Sequence, residues 1–67
     1  MISIQVNNST VSIKENATIV ELLHQINSPL NGIAVAIDAT ILPKETWGKT
    51  QLNNNDSILI IQATQGG

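Results

Sequence analysis

The chain contains no cysteine, arginine, tyrosine or phenylalanine, and Trp47 is its one aromatic residue. Without thiols it has neither a disulfide framework nor a thiolate metal site, and its single histidine, His24, cannot build a metal cluster alone. Three lysines stand against five acidic residues, for a net charge of -2. That leaves no basic surface to neutralise phosphates, so nucleic acid is not expected as a partner. There is no apolar stretch of about 18 residues and no basic segment leading into an apolar run near the start, so neither a membrane span nor a signal peptide is expected. A membrane partner is not expected either. The cytoplasm is the simplest place of work, with an organelle of bacterial descent as the other.

The 67 residues allow one domain with one small core, which excludes multi-domain catalysts and multi-module readers. Hydrophobic residues make up 42% and charged residues 12%, and the polar remainder is rich in Asn, Gln, Ser and Thr. That balance fits a folded domain better than a disordered tail. Cores of this size supply only a few kcal/mol, so an unstapled chain depends on efficient packing.

Ile2, Ile4 and Val6 alternate with Ser3 and Gln5, Asn7-Asn8-Ser9 supplies turn residues, and Val11 and Ile13 resume the alternation. This is the period of a half-buried strand on both sides of a turn and predicts an N-terminal hairpin. Thr18 and Glu21 then stand at the spacing of a capping box, which predicts a helix starting at Thr18. Ile19, Leu22, Leu23 and Ile26 recur on one helical face, and Asn27-Ser28-Pro29 stops the run. Ile33–Ile37 reads as a third strand and Ile41-Leu42 as a brief edge strand ended by Pro43. The segment from Lys44 to Leu52 has neither period and suits a short 3₁₀ turn; residues 53–56 form a turn cluster. Ile58-Leu59-Ile60-Ile61 is apolar on both faces, as a central strand would be.

The order β-β-α-β-β-β, with the two most apolar strands placed side by side at the centre, makes those strands parallel and puts the helix in the crossover. That is an α+β arrangement of the β-grasp kind. The expected organisation is one domain over residues 1–64 and a flexible tail over 65–67, ending in Gly66-Gly67. Leu22, Leu23 and Ile26 should pack on Ile4, Val35, Ile58 and Ile60. With one helix to cover one face, Leu59 and Ile61 should lie at least partly open on the other, as a surface for docking partners; the alternative is that the segment from Leu42 to Leu52, Trp47 included, folds over them as a second small core.

Catalytic residues are scarce. His24 lies away from much of the apolar stripe and reads as a solvated residue near the helix C-terminus, where positive charge suits the dipole. Asp38 and Asp56 sit in turns, where Asp stabilises a local bend, and Gly32 has no glycine-rich loop around it. Trp47 reads as packing over the rim of the core rather than as a binding hot spot. The diglycine is different: its tip has no side chain, so it can enter a narrow active site, and its reactive atom would be the carboxylate of Gly67. Activation by ATP in a partner enzyme would turn that carboxylate into an acyl adenylate open to a sulfur or nitrogen nucleophile.

Several segments together resemble the ThiS-type sulfur carriers of thiamine biosynthesis, which are ubiquitin-like β-grasp domains. They are the opening strand leading to Asn7, Thr18-x-x-Glu21-Leu22-Leu23, Ala34-Val35-Ala36-Ile37, Ile41-Leu42-Pro43-Lys44-Glu45-Thr46-Trp47, Asp56-x-Ile58 and the terminal Gly66-Gly67. The likeness runs the length of the chain. It departs in an Asn-rich turn where Gly is frequent and in Gln65 before the diglycine. The resemblance implies a co-substrate without catalytic residues or a bound cofactor or metal, and a monomer when free. An E1-like adenylating enzyme would consume ATP on the Gly67 carboxylate, a cysteine-derived sulfur donor system would convert it to a thiocarboxylate, and thiazole synthase would receive the sulfur. Three alternatives are a carrier for another pathway of the molybdopterin type, a ubiquitin-like modifier of lysines, and a plain interaction domain.

Overall fold

In the computed structural model, which describes residues 1–62, the alternation at the start of the chain becomes β1 (Ile2–Val6) and β2 (Ser9–Ile13). They pair as an antiparallel hairpin in which Ile2 faces Ile13 and Ile4 faces Val11. Ile4, Val6 and Ile13 are buried, and Ser3, Gln5, Thr10 and Ser12 are exposed. The period-two pattern therefore sorts the hairpin into a wet face and a dry one.

The helix α1 (Ile19–Gln25) begins at the expected cap. The Glu21 amide donates to Thr18 Oγ1 at 3.3 Å, and the Thr18 amide donates to Glu21 Oε1 at 3.0 Å. These reciprocal bonds satisfy two amides that the first turn would otherwise leave without partners. Lys14 Nζ reaches Glu21 Oε2 at 2.7 Å. The Lys14 ammonium, then the Thr18 amide, hold the Glu21 carboxyl below its ordinary range. At the other end Asn27 adopts φ +59, its amide donates to His24 O at 3.2 Å, and the Ser28 amide donates to Leu23 O at 2.9 Å. Those two bonds make a Schellman cap with asparagine in the left-handed position that glycine usually takes. The helix is thus closed at both ends by residues the sequence marks as start and stop.

Strands β3 (Ile33–Ile37) and β4 (Thr40–Leu42) form a second hairpin around Asp38 and Ala39, both at positive φ. After the 3₁₀ turn Lys44–Thr46 the chain returns in β5 (Ser57–Gln62), which pairs antiparallel with β3 and parallel with β1. The sheet order is β2-β1-β5-β3-β4, so the first and last strands are central neighbours and the helix lies in the crossover. This is a β-grasp, as the order of elements predicts.

Ile19, Leu22 and Leu23 of α1 are fully buried in one cluster with Ile4, Ile13, Val35, Leu52 and Ile58, against which Ile26 and Ile60 pack as partly buried residues. The residues expected to meet therefore share one core, with Ile26 and Ile60 at its margin. Trp47 differs from its reading as a rim residue: it is 3% exposed and belongs to this cluster. The physical reason is a strap. The 3₁₀ turn after Pro43 brings the indole inward, where Nε1 donates to Leu42 O at 3.1 Å; the Leu52 amide donates to Ala17 O and the Ile19 amide to Thr50 O, pinning residues 47–52 beside the start of α1. Among the described residues no polar or charged side chain is buried. The flexible tail expected at 65–67, with residues 63–64 that precede it, lies outside the described residues.

Candidate functional site

Strand β5 is flanked on both sides, by β1 and β3, so its side chains have only the two faces of the sheet to occupy. The helix covers one, and Ile58 is buried there. On the other, Leu59 is 48% and Ile61 46% exposed. The strand register shows what stands beside them, because residues directly opposite each other in a sheet share a face. Ala36 is opposite Leu59 on one side and Ile41 on the other, and Ala34 is opposite Ile61. Ile41 is 63% exposed. Beyond Ser57, which stands opposite Gln5 at the start of β5, the β5-β3-β4 half of the open face is thus apolar and carries no charge. The β1-β2 half carries Ser3, Gln5, Thr10 and Ser12, with Gln5 Nε2 donating to Thr10 Oγ1 at 3.2 Å. Three large exposed apolar side chains, Leu59, Ile61 and Ile41, thus share one half of one face, whereas single exposed apolar residues need no explanation.

Leu59 and Ile61, singled out from sequence, are therefore brought together, and Ile41 joins them across Ala36. Sequence reasoning missed Ile41 because a three-residue edge strand is too short to show its phase; pairing Ala36 with Ile41 in the hairpin would have revealed it. Gly66 and Gly67, the other pair singled out, lie outside the described residues.

The remaining candidates stay apart. His24 is exposed on α1, Asp38 is exposed in the β3-β4 turn, and Asp56 Oδ2 accepts the Asn53 amide at 2.8 Å, a local turn contact. Gly32, at φ +75, leads into β3 from a backbone conformation that suits glycine. Among the described residues no three His, Asp or Glu side chains gather in a way that could hold a metal ion. In a groove lined by Met1, Ile13, Lys14, Glu21, His24 and Gln25, Lys14 pairs with Glu21, and Gln25 Nε2 donates to the Ser12 carbonyl at 2.8 Å. No described helix is long and apolar enough to cross a membrane.

The chain is 33% identical to the sulfur carrier protein ThiS of Escherichia coli (strain K12) over 61 residues, which span 91% of this chain and 92% of that protein. It is 32% identical to an uncharacterized protein, ycf40, of Porphyra purpurea over 66 residues, 98% of this chain and 93% of that one. In fold it matches the crystal structure of a thiamine biosynthesis protein (ThiS) from Geobacter metallireducens with a TM-score of 0.84 at 19% identity, covering 98% of this chain and all of that one. The solution structure of a thiamine biosynthesis protein from the same organism matches with a TM-score of 0.78 at 23% identity, covering 98% of this chain and 88% of that one. The ThiS family model matches residues 3–67, so it runs through the helix cap, the open apolar face and the diglycine alike, and the chain belongs to the ThiS family.

Proposed function

We propose that this protein is a sulfur carrier of thiamine biosynthesis, working in the cytoplasm, whose reactive group is the carboxylate of Gly67. In that role the folded domain supplies recognition and the diglycine supplies chemistry. An E1-like enzyme joins the carboxylate to the AMP portion of ATP and releases pyrophosphate. Sulfur from a cysteine-derived donor then displaces AMP, leaving a thiocarboxylate. Thiazole synthase takes the sulfur from it, and the carboxylate is restored. No step calls for a catalytic side chain on the carrier, which acts as a co-substrate.

The observation that carries this reading is the extent of the family match, which reaches from the first strand through Gly66-Gly67. The apolar half of the open face supports it. Leu59 and Ile61 lie on the strand that runs on toward the diglycine, so a partner that grips them also sets where the terminus arrives. The same surface would serve the adenylating enzyme and the synthase in turn.

Intact mass of the protein after incubation with its adenylating enzyme, ATP and a sulfur donor tests the reading. The expected result is a gain equal to the exchange of one oxygen for sulfur, absent when Gly66 and Gly67 are deleted. Stable conjugates to lysines of other proteins in place of that gain would make the chain a modifier, and a deletion variant that still accepted AMP would exclude the terminus.

A further inference from the structure

Strand β1 stops pairing with β5 before β5 ends. The parallel register is Gln5 with Ser57 and Val6 with Ile58, and the ladder bonds run from the Gln5 amide to Asp56 O at 2.9 Å and from the Asn7 amide to Ile58 O at 2.8 Å. In a continuing parallel ladder the Ile60 amide would find the carbonyl of residue 7. Asn7 instead adopts φ +56 and turns the chain into β2, so its backbone carbonyl leaves the ladder. Its side chain takes over. Asn7 Oδ1 accepts the Ile60 amide at 2.8 Å, and Nδ2 donates to Ile60 O at 3.4 Å.

A carboxamide offers one acceptor and one donor face in the manner of a peptide group, so asparagine can stand in for a strand that has turned away. Asparagine also tolerates the left-handed backbone better than most residues with a side chain. Both demands fall on this one position, 53 residues from its partner in sequence.

We propose that Asn7 is a positioning residue: its side chain locks the β1 side of Ile60 and thereby fixes the direction in which β5 delivers the diglycine to a docked enzyme. This rests on the reading that the Gly67 carboxylate is the group activated. Asn7 is on the opposite edge of β5 from Ala34, Ala36 and Ile41, so it leaves the apolar docking surface untouched. Losing it should impair alignment in the bound complex more than binding, and misalignment of reacting groups lowers turnover.

The test compares wild type, Asn7→Gly and Asn7→Asp. Glycine keeps the turn at positive φ and removes both side-chain bonds; aspartate keeps the acceptor and removes the donor. Hydrogen exchange at the Ile60 amide should speed up about tenfold in Asn7→Gly with Ile58 unchanged, the scale of one exposed hydrogen bond lost. Adenylation of that variant should show kcat lowered by about tenfold with KM within about twofold, and Asn7→Asp should recover most of the kcat. An unchanged Ile60 exchange rate, a kcat equal to wild type, a loss confined to KM, or an aspartate variant as poor as glycine would each overturn the proposal. A wild-type protein that is not adenylated would sink the carrier reading separately, while the exchange measurement still decides whether Asn7 holds Ile60.

Discussion

Ile58 and Ile61 are the same residue three positions apart on one strand, yet Ile58 is 1% exposed and Ile61 46%. Side-chain chemistry does not distinguish them. What does is strand phase combined with a single α-helix among the described residues: residues of even number on β5 face α1, those of odd number face away. An apolar run therefore identifies a central strand without saying that both of its faces are core. In a domain this small, the apolar residues that the core leaves uncovered are free to serve recognition.

The largest effect that could break this comparison is on the covered side. Leu23→Ala removes a fully buried side chain and should destabilise the fold by about 2–5 kcal/mol in denaturant unfolding, against a change within about 0.5 kcal/mol for Leu59→Ala on the open side. Equal losses would mean that both faces are core. A second test loosens the cover itself. Thr18→Ala deletes the hydroxyl that accepts the Glu21 amide and should cost about 1 kcal/mol.

The same cap carries a pH signature. Because the Glu21 carboxyl is held below its ordinary range, its contribution is fully present above the unfolded-state value and is lost as pH falls through the lowered folded-state value. Lys14→Met removes the first cause of that lowering, so stability measured across this acidic window should depend less on pH in the variant than in wild type. A steeper dependence would contradict the assignment.

A smaller effect lies at the hairpin that carries Ile41. Asp38 and Ala39 stand at φ +49 and +71, where two-residue hairpin loops favour Asn-Gly or Asp-Gly. Ala39→Gly should relieve the left-handed alanine and raise stability by about 0.5–1 kcal/mol, the strain relieved exceeding the added freedom of the unfolded chain. Unchanged or lower stability would show that the turn is not strained.

These tests fall where the sequence was legible to different degrees. The element order, the Thr18-Glu21 cap, the helix stop and the alternation on β5 are written in spacings of a few residues, and each appears where the spacing puts it. Contacts between distant segments are not. The Asn54 side chain accepts the Ser3 amide, and Asn7 holds Ile60; in the sequence both asparagines read only as turn residues. Trp47 offered no periodicity, because its burial depends on a strap pinned by backbone bonds from Leu52 and Ile19. Asparagine also takes the left-handed position at residues 7, 16, 27 and 55, which is why a chain with only four glycines can still turn so often. Two of the three large apolar residues of the candidate site were readable in the same way: Leu59 and Ile61 follow from phase, whereas Ile41 needs the register of its hairpin.

The smallest expected effect on folding is the most informative about function. Ile61→Asp places a charge on the open face, away from the helix, so unfolding should shift by no more than about 0.5 kcal/mol. Docking should respond differently, because a carboxylate buried against an apolar partner has no cation beside it among Ala34, Ala36, Ile41 and Leu59. Affinity for the adenylating enzyme and for thiazole synthase, measured by titration calorimetry, should each fall about tenfold or more. For the wild-type protein the same affinities should change less than about threefold between low and physiological salt, since the surface that makes the contact is uncharged. A strong salt dependence would move the docking site to the charged residues elsewhere on the domain. Undisturbed binding by a folded Ile61→Asp variant would leave the open face as exposed apolar surface with no partner, and the two faces of β5 would differ in burial alone.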